Sequence, residues 1–245
     1  MRVEAKVMLR GYRVLDFTDE RGLLAGQILA DLGADVVHVE PPGGSRARRR
    51  GPFAGDAEGP ERSLLWWAYA RNQRSIVLDP GDAGDRDTLL RLIASADFLI
   101  ESESPGAMDA RGLGYRSLAR EHPGLVYVSI SPYGQSGPKA GVPATDLTLA
   151  AASGFLFMTG DADRPPVRVG ATDQAHLFAG VEAALAALVA SQHRLRTGRG
   201  QWVDVSAQQA LNAATQSDAL SALVGDRYTT RSAGGHVYGG IRLRL

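Results

Sequence analysis

The sequence predicts an α/β fold: an open parallel sheet with helices flanking it. Short apolar runs rich in Val, Ile and Leu alternate with segments of helical spacing from residue 13 to residue 130. Successive runs are separated by the crossover lengths that parallel pairing requires. Glycine and proline clusters punctuate the junctions.

The elements follow in order. Residues 13–17 read as a strand, and residues 23–32 as a helix with apolar positions at 24, 25, 28, 29 and 32, stopped by Gly33. Residues 36–40 form the next strand, closed by Pro41-Pro42-Gly43-Gly44. Residues 75–78 are a third strand. Residues 87–96 are a helix with Leu or Ile at 89, 90, 92 and 93. Residues 98–101 read as a strand, 118–122 as a short helix and 125–130 as a fifth strand. The texture then changes: residues 147–157 are apolar and alanine-rich, and a turn follows at Asp163-Arg164-Pro165-Pro166. Residues 177–195 form a longer helix, stopped at Thr197-Gly198-Arg199-Gly200, and 201–205 a strand. Residues 208–224 read as a helix, and the glycine-rich stretch 232–245 as a strand or connector.

Composition narrows the function classes. A chain of 245 residues has ample volume for one large domain. Lys+Arg and Asp+Glu balance at 27 each, which argues against a dedicated nucleic-acid binder. The absence of cysteine excludes disulfides, thiolate zinc sites and a cysteine nucleophile. The five histidines show no metal-ligand spacing, so no metal site is expected. No signal-peptide pattern opens the chain and no uninterrupted apolar run reaches spanning length. A soluble cytoplasmic protein without membrane partners is expected.

Several positions invite a chemical reading beside a structural one. Glu40 suits a ribose hydroxyl, but Gly22 and Gly26 do not make the G-x-G-x-x-G of dinucleotide binding. Arg46, Arg48, Arg49 and Arg50 would suit a phosphate, or form a solvated loop. Residues 102–106 and 131–138 follow strands directly. They read as pocket walls beyond strand ends, or as plain turns. Asp173 precedes a helix, where an aspartate commonly caps. His176, three residues on, shares its face and could orient it or act as a base, or simply lie at the surface.

The order of these pieces resembles the class III CoA-transferases, the family of formyl-CoA and carnitine CoA-transferases and the α-methylacyl-CoA racemases. The resemblance is carried by Arg13-Val14-Leu15-Asp16-Phe17-Thr18, by Ala30 to Val37 with Glu40-Pro41-Pro42-Gly43-Gly44, and by Asn72 to Asp79. Further on it is carried by Pro105-Gly106-Ala107-Met108, Ser129 to Pro138, and Thr197-Gly198-Arg199-Gly200-Gln201. It implies a Rossmann-like large domain and acyl transfer through Asp173 as nucleophile, by way of an aspartyl-CoA thioester. It implies CoA along the strand ends, with Asn72, Arg74, Leu78, Ser102, Glu103, Ser104 and Arg111 as its contacts. The partners implied are an acyl-CoA and a carboxylic acid, in a homodimer or a heteromer with a subunit carrying the rest of the fold.

The sequence departs from the family at named places. The Ala-Gly-Pro usual after the first strand is replaced by residues 19–24, and the usual basic residue after the fourth strand by Glu103 and Ser104. Thr145 stands where the racemases carry a histidine, which argues against racemase chemistry. Family members also run further, into a smaller second domain that is largely missing here. The expected organisation is a CoA-binding domain over 1–224 and a connector over 225–245. A non-catalytic CoA-binding subunit is the alternative that this length suggests.

Overall fold

The computed structural model describes residues 7–215, apart from residues 56, 162 and 171. Six strands form one sheet: β1 (Arg13–Phe17), β2 (Asp35–Glu40), β3 (Arg74–Val77), β4 (Phe98–Glu101), β5 (Val126–Ser131) and β6 (Trp202–Ser206). Their spatial order is β3-β2-β1-β4-β5-β6 and every pairing is parallel. This is the strand order of the Rossmann fold, with its switch point between β1 and β4. Parallel pairing puts all six carboxyl ends on one edge, and the loops that leave them gather there.

Eight helices were resolved among the described residues: α1 (Leu23–Asp31), α2 (Leu64–Tyr69), α3 (Ala83–Ala94), α4 (Ala107–Ala110), α5 (Tyr115–Glu121), α6 (Asp146–Ala152), α7 (Gln174–Thr197) and α8 (Ala207–Ala213). They cover both faces, so adjacent strand residues enter opposite cores. Val14, Val36, Phe98 and Val128 pack with α1, α6, α7 and α8. Leu15, Val37, Leu99 and Tyr127 pack with α3, α4 and α5.

The six strands expected between residues 13 and 205 are all present, with ends within a residue or two. Helix boundaries moved more. α3 starts at Ala83 because Asp82 accepts the Asp85 amide at 3.0 Å, a cap ahead of a polar first turn without apolar periodicity. α2 was unanticipated; Ser63 caps it by accepting the Trp66 amide at 3.2 Å. Of the helix expected over 208–224, α8 is observed at Ala207–Ala213; residues 216–245, with the remainder of that helix and the expected connector, lie outside the described residues.

α7 differs most. It begins three residues earlier than expected, directly after Asp173. Its inward stripe is Ala175, Ala179, Gly180, Ala183, Ala184 and Ala187, all buried. Small residues permit close approach: a Cβ at Gly180 would lie 2.9 Å from Leu24 Cβ and 3.2 Å from the Ala25 nitrogen of α1. The start of α7 is thereby fixed beside the start of α1. By length and composition α7 is apolar enough to cross a membrane, with half of its most apolar window buried in the protein. Counting uninterrupted apolar runs missed this, because Glu182 breaks the run.

The arginine run at 46–50 does not act as a unit. Its 3₁₀ turn, Arg46–Arg49, sends Arg48 inward, where its guanidinium meets Glu40 at 2.6 and 2.7 Å and lies 4.1 Å from the Trp66 ring centre. Glu40 also accepts from the Ser45 amide and from Ser75. Burial alone would raise the Glu40 carboxyl, but these donors outweigh it and bring it down to about 2 from 4.5. A depressed folded pKa stabilises above the unfolded value and loses that effect as pH falls through the folded one. Arg48→Met should therefore cost about 3 kcal/mol at neutral pH by leaving a buried charge unpaired. Denaturant melts at several pH values should show this gap shrinking between pH 4.5 and about 2. A gap that is constant or widens on acidification would contradict the assignment.

Candidate active site

The site is built on the carboxyl edge of the sheet, around the β1/β4 switch point. Here the chain leaving β1 meets the chain leaving β4. The Asp19 amide donates to Ser102 Oγ, and Ser102 Oγ donates to Asp19 Oδ1, both at 2.9 Å. Arg21 closes on the same carboxylate at 2.7 to 3.0 Å. Burial opposes ionisation of Asp19, but Arg21 outweighs it, and the carboxyl lies below its usual range.

Asp173 enters this edge from the α1 side. It occupies the N-cap position of α7 with extended backbone (φ −75°, ψ 98°), yet its side chain makes no cap hydrogen bond. Arg50 donates to Oδ2 at 2.7 Å and Arg168 to Oδ1 at 2.8 Å. His176 Nδ1 lies 3.7 Å from Oδ2, beyond hydrogen-bonding distance. The adjacent His176 imidazole and the Arg50 guanidinium outweigh partial burial and hold the Asp173 carboxyl far below its usual range. The group is therefore ionised at every physiological pH. A cavity of about 20 Å³ beside it is lined by Glu20, Leu24, Arg50, Tyr69 and His176.

The α7 amide that an N-cap side chain would satisfy is taken from elsewhere. Ala175 N–H donates to Asp146 Oδ1 at 2.7 Å. Among the described residues, Thr18 Oγ1, Glu20 Oε2 and His176 Nδ1 are buried without a hydrogen-bond partner. Buried polar groups are ordinarily paired, so orphans in a crevice are what a polar ligand would satisfy.

A larger cleft, about 260 Å³, opens beside β4, β5 and β6 on the face that carries α4 and α5. Its walls include Glu101, Ser104, Met108, Tyr115, Gln135 and Trp202. Tyr115 and Trp202 stack with centroids 6.3 Å apart, and Trp202 Nε1 donates to Ser129 Oγ at 3.0 Å. Burial pushes the Glu101 carboxyl up to about 7, against Ser129 and the Glu103 amide, which favour its ionised form.

The structure separates the expected CoA contacts into three places. Ser102, Glu103, Ser104 and Arg111 gather at the carboxyl end of β4, where Arg111 donates to Glu103 at 2.8 Å. Leu78, just past β3, is buried in the second core. Asn72 and Arg74 stand at the opposite, amino edge. Asn72 donates to Asp31 at 2.6 Å, and Arg74 pairs with Asp35. They are not brought together with Asp173. The sequence reading did not single out Arg168, nor Arg50 apart from its neighbours. Arg50 is 123 residues from Asp173, and no spacing rule connects them.

The fold and this edge define an α/β protein that presents an arginine-held carboxylate beyond the carboxyl ends of its strands. The chain belongs to CoA-transferase family III, whose family model matches residues 9–241. It is 40% identical over 201 residues to a succinyl-CoA:(R)-benzylsuccinate CoA-transferase subunit of Thauera aromatica, covering 81% of this chain and 48% of that protein. It is 41% identical over 198 residues to the acetyl-CoA:oxalate CoA-transferase of Acetobacter aceti, covering 80% of this chain and 50% of that one. A CAIB/BAIF family protein from Brucella suis superposes with a TM-score of 0.86 at 34% identity, over 93% of this chain and 60% of that one. The chain thus spans about half the length of the curated relatives it matches.

Asp173 makes ion pairs with Arg50 and Arg168 but no cap bond. The stability lost in Asp173→Ala should therefore come from those two arginines, and most of it should disappear when the substitution is made in an Arg50→Met, Arg168→Met background. Chemical denaturation of the four variants checks this. A cost of about 1 kcal/mol or more that persists in that background would mean that the carboxylate caps the helix after all.

Proposed function

We propose that this protein transfers CoA between an acyl-CoA thioester and a carboxylic acid, with Asp173 as the nucleophile. The observation that supports it most is a helix-terminal aspartate, ionised and held by Arg50 and Arg168, that takes no part in capping its own helix.

A carboxylate that is already ionised needs no general base. Asp173 attacks the thioester carbonyl carbon; the C–S bond breaks, and CoA thiolate leaves behind a mixed anhydride. The thiolate then attacks the Asp173 carbonyl carbon. This gives an aspartyl-CoA thioester and frees the first acid as its carboxylate. The acceptor carboxylate attacks that thioester, expelling thiolate and forming a second anhydride. Thiolate attack on the acceptor's acyl carbon gives the new acyl-CoA and returns Asp173 as a carboxylate. Each step conserves one negative charge and only moves it.

That shared charge gives the arginines their task. When Asp173 is acylated its oxygens lose charge, and Arg50 and Arg168 are left facing whichever anion has formed nearby. Fixed cations at that place favour the anionic transition states on either side. CoA would lie over the carboxyl edge, from the Ser102–Ser104 turn and the aromatic cleft to Asp173. Glu20 and His176, which line the cavity beside Asp173, supply orphaned polar atoms along that path.

Racemase chemistry is not favoured. Thr145 caps α6, accepting the Thr148 amide while its own amide donates to the Thr148 hydroxyl. The second reading is a CoA-binding subunit that becomes active only with a partner chain. It is favoured by the half-length match and by relatives that are themselves named as subunits. A homodimer or a heteromer and a cytoplasmic setting are part of the same proposal.

Incubation with succinyl-CoA or acetyl-CoA followed by hydroxylamine should convert Asp173 to its hydroxamate, located by peptide mass spectrometry. Asp173→Asn should abolish the label and lower transfer at least about a thousandfold. Modification of another residue, with Asp173 untouched, would overturn the mechanism. CoA binding with labelling only after a partner chain is added would establish the second reading.

A further inference from the structure

The first amides of a helix need acceptors, and the N-cap side chain ordinarily provides one. In α7 the N-cap residue is an aspartate, the right type in the right place, and it does not do so. Asp146 does it instead, from 29 residues away, through the 2.7 Å bond from Ala175 N–H to its Oδ1. Its other oxygen, Oδ2, accepts from Arg168 Nε at 3.3 Å and lies 3.3 Å from Nη2, the nitrogen that donates to Asp173 Oδ1 at 2.8 Å. Asp146 is therefore joined to Asp173 twice, through the helix end and through the arginine.

Asp146 is itself firmly placed. It is the first residue of α6, only 6% exposed, and the Thr145/Thr148 capping box fixes the turn that carries it. Leu149 and Ala150 of the same helix are buried in the cluster that holds Ala175 and Ala179 of α7. Both partners of the Asp146–Ala175 bond thus stand on one packed core.

From this geometry we infer that Asp146 is a positioning residue for the transfer. It caps α7 in place of Asp173 and holds Arg168, so that the Asp173 carboxylate is kept off the helix amides and free to react. The inference rests on Asp173 being the nucleophile. Its physical reason is a conflict between two uses of one carboxylate. A capping oxygen is bound along the helix axis by N–H groups that favour its charge. Acylation removes that charge and weakens those bonds, so a capping nucleophile would oppose its own reaction. Giving the cap to a second carboxylate, which never reacts, removes the conflict.

The test compares Asp146→Ala and Asp146→Asn with Asp97→Ala. Asp97 binds Arg194 and the Arg13 amide at the opposite edge of the sheet, so its loss controls for lowered stability. Crystal structures and transfer kinetics with succinyl-CoA are read for each variant. In Asp146→Ala the Asp173 carboxylate should turn onto the Ala175 amide. Its kcat should fall about a hundredfold, the scale of a misplaced reacting group, with KM for the thioester within about threefold. Asp146→Asn keeps an oxygen for the amide and should recover a large part of that loss. Asp97→Ala should keep its kcat.

Asp173 unmoved in the Asp146→Ala structure would overturn the inference. So would a kcat loss no larger than that of Asp97→Ala at matched stability. If Asp146→Ala fails to fold, Asp146→Asn decides alone: it should leave Asp173 in place, and an Asp173 carboxylate on the helix amides would refute the role. If the wild-type chain shows no label at Asp173, the nucleophile reading fails, and the structures still decide whether Asp146 governs the carboxylate's direction.

Discussion

Parallel pairing is the constraint from which the rest follows. A sheet ordered β3-β2-β1-β4-β5-β6 with every strand in one direction must return each connection across a face. That delivers every outgoing loop to the same edge. It brings Asp19 against Ser102, 83 residues away, and Arg50 within reach of Asp173. None of these contacts is local, and none would survive an antiparallel arrangement. The small-residue stripe of α7 completes the placement. By letting α7 approach α1 at Gly180, it sets the carboxylate of Asp173 over the crevice and not out in solvent.

Much of this could be read from the chain because its signals are local. The strand at 36–40 is a β-branched run closed by Pro41-Pro42-Gly43-Gly44, and β2 ends at Glu40. The stop of α7 at Gly198, with φ +72°, follows from the one residue type that takes that conformation without strain. What failed was also physical. The polar first turn of α3 carries no periodicity and is fixed by Asp82, while α2 is too short for its spacing to register. The start of α7 depends on Asp146, whose distance along the chain hides it from any local rule.

The candidate site was legible in kind but not in wiring. Asp173 could be singled out, and local chemistry favoured a cap. The structure keeps it at the cap position and denies it the cap bond. The arginine run suggested one anion site; instead Arg48 is spent inside the fold on Glu40, and Arg50 alone reaches Asp173. Residues adjacent in sequence were separated by the direction each side chain takes from a single 3₁₀ turn. The expected CoA contacts divide in the same way, because Asn72 precedes β3 and Arg74 opens it, while Ser102 to Ser104 follow β4.

The central claim is that Asp173 is a free, ionised carboxylate held by side chains and not by its helix. The most direct measurement is an NMR titration of aspartate side-chain carboxyl carbons, with Asp173 assigned by its loss in Asp173→Asn. An ordinary aspartate, with a pKa near 3.8, already shifts measurably as the pH falls through 5 to 4. The Asp173 signal should stay flat from neutral pH through that range, down to the acid limit of the fold. A midpoint at or above 3.8 would contradict the account.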